Sequence, residues 1–438
     1  ITGEVKGSPV VLHLLPAPGA PPGTPPCPVI PQTQTHTETR TEEPKDGPKQ
    51  EELGPGQEGQ AAGPVLCVGS HDGCVYAFDA RSGALLGKLE LRRGAIFATP
   101  VPYSVPVGAQ RLLLATTGGW VVSVSVSVAL APSSSTTTTA APATDTAVVP
   151  CPWEVQLSEE WSCSTAHLAP VFSTPLVVPC PPPLSRSVSA SRGSSSVCVC
   201  CTVGGQCLCL DAVSGRTVWS LDVAPPSSSS SSKSSPIFSS PCLFPLLRRC
   251  CPPPATEDSD RDKDAVPAPA RARAPVRDVG LAFGCHDGFL RFVSLQLGRV
   301  LWRVDLQGAL FASPTVVSLP GRGTGADKGT DTRRAPLGHS VAFAATTAGA
   351  VFALSVPVFF DENGDEDGED SSSSRCGGRG VRVLDRVCLP GEVFSSPVAL
   401  SQSLGQGQGQ GCSAAAAAAA AFVAVGCRDD SVYAFRFS

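Results

Sequence analysis

Apolar positions along the chain fall into short runs broken by Gly, Asp, Ser or Pro, and three such patterns return in a fixed order. The first is a small-small-Pro step leading into apolar residues: Gly7–Val11, Ala98–Val101, Ser173–Val178, Ser239–Leu243, Ala312–Val317 and Ser395–Leu400. The second is an apolar strand, a tight turn and another strand. It reads "VGSHDGCVYAF" from Val68, "ATTGGWVVSV" from Ala115, "CTVGGQCLCL" from Cys201, "FGCHDGFLRF" from Phe283, "ATTAGAVFAL" from Ala345 and "VGCRDDSVYAF" from Val425. Asp-Gly or Gly-Gly between alternating apolar runs is a strong hairpin signal. The third is a turn followed by an alternating strand, seen best in "LDAVSGRTVWSLDV" (Leu210–Val223) and also in Phe78–Leu91 and Leu295–Leu306; Trp153–Leu157 and Val381–Leu389 are partial copies.

Each unit therefore predicts four short antiparallel strands, and tandem units of this kind describe the blades of a β-propeller. One blade cannot bury both faces alone, so neighbours must stack around a central axis. The fold expected is all-β, with six recognisable units at 1–91, 95–157, 170–223, 236–306, 310–389 and 393–438 belonging to a seven- or eight-bladed ring. Structural repeat positions are Pro100, Pro175, Pro241, Pro314 and Pro397 at the inner strands, Asp72, Gly73, Asp287 and Gly288 at the hairpins, and Trp219 and Trp302 on outer strands. The last unit lacks an outer strand in this register, which implies an incomplete ring or further blades encoded upstream.

Low-complexity inserts at 16–63, 129–150, 225–235, 252–275, 320–335, 361–380 and 401–413 interrupt the spacing. They are rich in Ser, Thr, Pro, Gly or acidic residues and lack the apolar content to fold, so they are expected as disordered loops between strands. Surface loops tolerate such length cheaply.

Composition changes the picture in three ways. A formal net charge of −5, from 33 basic and 38 acidic side chains, gives no electrostatic case for nucleic acid. Gly and Pro, 43 each, leave little room for long helices, and no apolar run reaches the roughly 18 residues of a membrane helix. The 19 Cys sit mostly inside apolar runs and no secretory segment opens the chain, so they are expected as reduced, buried thiols in a cytoplasmic protein. Met is absent even from position 1, which is Ile1, as expected for a piece of a longer protein.

Several clusters suggest chemistry and each has a plainer reading. His71–Asp72–Gly73 and His286–Asp287–Gly288 resemble a metal or catalytic loop, but four of the six copies lack His, and turn geometry alone accounts for Asp and Gly. Cys198, Cys200, Cys201, Cys207 and Cys209 lack zinc-knuckle spacing, and strand alternation sends Cys200 and Cys201 to opposite faces. Asn363, Asp365, Asp367 and Gly368 fit the centre of a calcium loop, yet its first position is Asn363 and its twelfth is Ser374, so a solvated acidic loop is preferred. No catalytic or metal-ligating residue is assigned.

The small-small-Pro strand, the "G-x-x-D-G-x-V-Y-A-F-D" hairpin and the "S-G-x-x-x-W" strand together resemble the pyrroloquinoline quinone (PQQ)-type propeller repeat. "LPGEVFSSPV" (Leu389–Val398), "PIFSSPCL" (Pro236–Leu243) and "GSHDGCVYAFD" further resemble the C-terminal propeller of beta-alanine-activating enzymes of the acyl-CoA synthetase family. That resemblance implies a parent protein that activates an acid with ATP and loads it onto a carrier thiol. No adenylation or carrier signature lies in this sequence, so the fragment is expected to be a non-catalytic docking or scaffolding domain with a protein or carrier-domain partner. PQQ is implied by the repeat's name only. The paired Cys200–Cys201 and Cys250–Cys251 resemble the vicinal disulfide of some quinoprotein dehydrogenases, although a reducing compartment argues against such a bond. Two alternatives remain: a PQQ-dependent dehydrogenase, and a stand-alone scaffold propeller.

Overall fold

The computed structural model describes residues 4–5, 7–13, 63–105, 109–130, 153–180, 196–223, 235–249, 276–319, 339–361, 380–402 and 420–437. The Asn363–Ser374 run, the Cys250–Cys251 pair and nearly all of the inserts lie outside the described residues. Apart from one 3-10 turn at Ala166–Leu168, every regular element described is a β-strand.

The strands form six antiparallel meanders in chain order, and the protein is an all-β propeller. Blade 1 comprises β1 (Val10–His13), β2 (Pro64–Gly69), β3 (Cys74–Asp79) and β4 (Leu85–Glu90). Blade 2 follows with β5 (Val101–Ser104), β6 (Gln110–Ala115), β7 (Trp120–Leu130) and β8 (Trp153–Ser164), and blade 3 with β9 (Leu176–Pro179), β10 (Ser196–Cys201), β11 (Gln206–Asp211) and β12 (Thr217–Asp222). Blade 4 has β13 (Cys242–Arg249), β14 (Val276–Gly284), β15 (Phe289–Ser294) and β16 (Arg299–Asp305). Blade 5 has β17 (Thr315–Leu319), β18 (His339–Ala345), β19 (Ala350–Val356) and, after a short β20 (Phe359–Asp361), β21 (Arg382–Cys388). β20 leaves its own blade and pairs in parallel with the end of β13, making the blade 4 sheet five-stranded. Blade 6 holds three described strands: β22 (Val398–Gln402), β23 (Ala420–Gly426) and β24 (Val432–Phe437).

The second and third strands of blades 1 to 5 are buried on both faces, which is why they read as nearly continuous apolar runs; outer strands such as β12 alternate. Successive side chains serve opposite neighbours. Leu112 and Leu114 pack with Val65, Cys67 and Val75 of blade 1, whereas Leu113 packs with Cys198, Cys200, Leu208 and Leu210 of blade 3. In turn Cys201, Cys207 and Cys209 face Leu281, Phe283 and Cys285 of blade 4. The dense thiol group is thus divided between two inter-blade layers, and these cysteines carry free thiols. Leu290 and Phe292 continue the pattern against Ala342 and Ala344, and Phe343 and Ala345 against Val423 and Val425. Each fully buried Leu or Phe in these layers contributes about 1.5–3 kcal/mol.

The stacking stops at blade 6. Its outward face leaves Val398, Leu400 and Val432 at 62%, 68% and 76% exposure, where the other blades bury the equivalents of Leu400 and Val432 and half-bury those of Val398. Among the described residues, no core cluster joins blade 6 to blade 1.

Candidate interaction surface

One hexapeptide enters every blade. It reads x-apolar-Phe-small-Ser/Thr-Pro at Ala95–Pro100, Pro170–Pro175, Pro236–Pro241, Ala309–Pro314 and Glu392–Pro397, with Lys6 in the Phe position of the first copy. Each position has a separate structural task. Ile96, Val171, Ile237, Leu310 and Val393 are completely buried plugs. The backbone before them receives the adjacent hairpin, since the N–H groups of His71, Thr117, Val203, His286, Thr347 and Arg428 donate to the carbonyls of Glu4, Ala95, Pro170, Pro236, Ala309 and Glu392. The small residue sits against the second strand, and Ser173, Ser239 and Ser395 donate their hydroxyls to the carbonyls of Cys201, Gly284 and Gly426.

The Ser/Thr position links blade to blade. Its backbone N–H donates to the hydroxyl of the same position one blade on: Ser8 to Thr99 (3.1 Å), Thr99 to Thr174 (3.4 Å), Thr174 to Ser240 (2.8 Å), Ser240 to Ser313 (2.8 Å) and Ser313 to Ser396 (2.9 Å). These positions immediately precede the Pro that opens each inner strand, so Pro100, Pro175, Pro241, Pro314 and Pro397 stand at equivalent points around the axis. Pro has no N–H to donate, which leaves the preceding residue to form the inter-blade bond.

The Phe position builds a strip of rings at the same end of the molecule. Phe97, Phe172, Phe238, Phe311 and Phe394 follow one another at centroid distances of 5.1, 5.9, 4.5 and 5.5 Å. The first four are half-buried, and Phe394 is 39% exposed. The hairpin residues attend these rings. His71 lies 3.9 Å from Phe97, His286 lies 5.1 Å from Phe311 and 6.2 Å from Phe238, and the Arg428 guanidinium sits 4.4 Å over Phe394. Residue for residue, Arg428 takes the place of the two histidines.

The aspartates beside those residues are occupied within their turns. Asp72 and Asp429 accept the N–H two residues on (Cys74, 3.0 Å; Ser431, 3.1 Å) and the hydroxyls of Tyr76 and Tyr433, both at 2.6 Å. The Tyr433 bond, followed by the turn N–H groups, holds the Asp429 carboxyl below its usual range. Asp287 accepts from Phe289 N–H and pairs with Arg291; burial opposes its charge, but those partners prevail and keep its carboxyl low. Blades 2, 3 and 5 have no such Asp. There Thr116, Thr202 and Thr346 offer hydroxyl oxygens to the N–H groups of Trp120, Gln206 and Ala350. Gly73 and Gly288 supply the left-handed turn residue at φ +75° and +89°, a place taken in blade 6 by Asp430 at φ +63°.

The outer turns carry a second inter-blade device. Trp161 and Trp219 reach to the next blade, donating Nε1–H to the carbonyls of Ala212 (3.1 Å) and Leu295 (2.8 Å). Their rings lie against Gly215 and Gly298, where an added Cβ would fall 2.5 and 2.7 Å from ring carbons. Trp302 packs in the layer between blades 4 and 5. Two acids cap the matching turns: Asp79 accepts from the N–H groups of Arg81 and Ser82, and Asp211 from those of Val213 and Ser214. In blade 4 the equivalent residue is Ser294, and the carboxylate comes instead from Asp278 on the adjoining strand, to which Ser294 donates its hydroxyl.

Among the described residues, no three His, Cys, Asp or Glu side chains converge as a metal cage, and no helix is long and apolar enough to cross a membrane. Burial pushes the Cys67 and Cys285 thiols up to about 12. The three aspartates at this end are committed to turns, and what the surface presents is the Phe strip with His71, His286 and Arg428 beside it.

No family model matches the chain, and no curated protein matches it. Solved β-propellers are similar in fold. Sqt1 of Saccharomyces cerevisiae aligns over 85% of this chain and 69% of its own at 12% identity and a TM-score of 0.43. BamB of Moraxella catarrhalis aligns over 86% and 83% at 12% identity and 0.34, and a chain of the mitotic checkpoint complex over 86% and 72% at 10% identity and 0.38.

Proposed function

We propose that this chain is a non-catalytic docking propeller that binds a protein segment on the aromatic strip at its axial end. The observation that carries the reading is the pairing of two facts at that end: one partly exposed Phe ring per blade from blade 2 to blade 6, and Asp72, Asp287 and Asp429 consumed as turn acceptors. Clustered aromatic side chains with an apolar body suit a protein contact, where such residues dominate binding energy. His71, His286 and Arg428 add polar and cationic edges to the strip.

The finer reading keeps the resemblance in view. The parent would be an adenylate-forming, beta-alanine-activating-type enzyme, and the strip would hold its carrier domain. The test has two parts. The transcript upstream of Ile1 is sequenced for in-frame adenylation and carrier domains, and that carrier domain is titrated against the propeller and against a Phe238→Ser/Phe311→Ser variant. Saturable binding lost in the variant supports the reading. Equal binding by both proteins would remove the strip from the interface. A bound quinone absorbance on reconstitution with PQQ and calcium would favour the dehydrogenase alternative instead.

A further inference from the structure

The last cross-strand pair before the axial hairpin has one composition in five blades. Gly or Ala on the second strand stands opposite Val or Leu on the third: Gly69 and Val75, Ala115 and Val121, Gly284 and Leu290, Ala345 and Val351, Gly426 and Val432. The small residue makes room for the buried plug of the hexapeptide. A Cβ on Gly69 would fall 2.4 Å from Ile96 Cγ2, and one on Gly284 2.6 Å from Leu310 Cβ. Blade 3 departs at both positions, with Cys201 opposite Cys207. Neither sulfur follows from the packing that fixes the other five pairs.

The two cysteines form a non-hydrogen-bonded pair. Cys201 turns its backbone away from Cys207, toward the hexapeptide that enters the blade: its N–H donates to Ser173 Oγ (3.4 Å) and its carbonyl accepts from the same hydroxyl (2.8 Å). The next pair carries the cross-strand bond instead, Thr202 N–H donating to Gln206 O (2.9 Å). Cα atoms of a non-hydrogen-bonded pair stand about 4.5 Å apart with their side chains close together, inside the roughly 4.4–6.8 Å that a disulfide spans. Both side chains lie in the layer between blades 3 and 4, both are completely buried, and both are free thiols. The adjoining Cys207 thiol, followed by burial, pushes the Cys201 thiol well above its usual range, so reaction requires the hairpin to open. The neighbouring cysteines are placed differently. Cys209 stands opposite Val199, Cys198 and Cys200 face blade 2, and Cys285 reaches the same layer from blade 4.

We propose that Cys201 and Cys207 are a thiol–disulfide pair, closed by a low-molecular-weight disulfide of the glutathione class and reopened by the corresponding thiol. When the hairpin opens, the thiolate of one cysteine attacks the oxidant, forming a mixed disulfide and expelling one small thiolate. The second cysteine then attacks the protein sulfur of that bond and expels the other. One cross-strand S–S bond replaces two S–H bonds, the two electrons pass to the oxidant, and its two thiolates take up the two protons. A Cα separation at the short end of the disulfide range strains the bond and makes it readily reduced, which suits a reversible linkage. The same hairpin anchors the hexapeptides that carry Phe172 and Phe238, through Val203 N–H to Pro170 O (2.9 Å) and Ile237 N–H to Thr202 O (3.2 Å). The chemistry of the pair is independent of what the aromatic strip binds.

The experiment equilibrates the full chain with mixtures of oxidised and reduced glutathione, in urea below its unfolding transition so that the hairpin can open. Remaining thiols are alkylated and the chain is digested with trypsin. Cleavage after Arg192 and Arg216 leaves Cys198, Cys200, Cys201, Cys207 and Cys209 on one peptide. As the glutathione becomes more oxidised, this peptide is expected to lose two alkylation sites and two hydrogens together. Fragments from backbone cleavage between Cys201 and Cys207 are expected to be absent until the peptide is reduced, with Cys198, Cys200 and Cys209 still alkylated. Cys201→Ala and Cys207→Val, residue types that other blades carry at these places, are each expected to abolish the linkage, and either one serves if the other fails to fold. Absence of the linkage at every glutathione ratio would overturn the proposal. So would a bond to Cys198, Cys200, Cys209 or Cys285 in place of this pair, or the same loss of two alkylation sites in either variant.

Discussion

Gly215 and Gly83 form a matched pair in which backbone strain and tryptophan packing separate. Replacing either by Ala places a Cβ on a residue at φ near +70°, which costs about 1–2 kcal/mol through contact with the following carbonyl oxygen. At Gly83 that is the whole effect, because among the described residues nothing lies within 4 Å of the new methyl. At Gly215 the methyl would sit 2.5 Å from Trp161 Cε3, closer than two carbons can approach, so the ring must move. Forced repacking of this kind costs about 1–3 kcal/mol. Displacing the ring also strains the Trp161–Ala212 hydrogen bond, which is worth about 1 kcal/mol. Gly215→Ala is therefore expected to destabilise by about 3–5 kcal/mol and Gly83→Ala by about 1–2 kcal/mol. Urea unfolding of both variants, compared at a common slope by tryptophan fluorescence, reads the difference. Equal losses would show that the indole does not bear on Gly215 and would refute the reasoning.

Three other outcomes follow from the same geometry. Asp430→Gly replaces an acidic residue at a left-handed hairpin position and should stabilise the chain by about 1 kcal/mol, seen as a higher urea midpoint. Ser240→Ala removes the acceptor for Thr174 N–H in the middle of the hydroxyl ladder and should cost about 1–2 kcal/mol, whereas no loss would mean the ladder is incidental. The Asp287 carboxyl is held low in the folded protein by Arg291 and the Phe289 N–H, so its contribution is present above the unfolded carboxyl range near about 4 and fades as pH falls through its folded pKa. Asp287→Asn should accordingly shrink the stability difference between neutral and acid conditions, and an unchanged acid limb would contradict this.

Much of the fold is legible in local pattern because each blade repeats the same solution. The small-small-Pro step, the Gly or Asp hairpin and the alternating outer strand are all short-range signals, and each corresponds to an element of the meander. The aromatic strip is equally local yet easily overlooked. Phe97, Phe172, Phe238, Phe311 and Phe394 precede the small pair in five copies, but Lys6 breaks the run in the first, and an apolar residue at a strand entrance reads as core. Trp161 is obscured differently. Trp153 opens the same strand and draws attention, while β8 continues to Ser164 and carries the docking ring past a bulge. The Asp278–Ser294 exchange has no sequence signal, since the carboxylate moves to a neighbouring strand 16 residues away. β20 is likewise invisible, being three residues at the edge of an acidic insert.

The hydroxyl ladder has a sense of travel, like a strand of nucleic acid with two unlike ends. Every bond runs from a backbone donor to a hydroxyl on the blade that follows, so the series finishes at Ser396 with an amide that has no acceptor among the described residues, and starts at Ser8 with a hydroxyl that receives none. Two Ser396 ends brought together would set donor against donor. A two-fold pairing through these ends is thus chemically mismatched, whereas head-to-tail addition is matched at every step. Growth of the propeller by tandem duplication of a blade respects that polarity automatically, since each new unit arrives with one end of each kind.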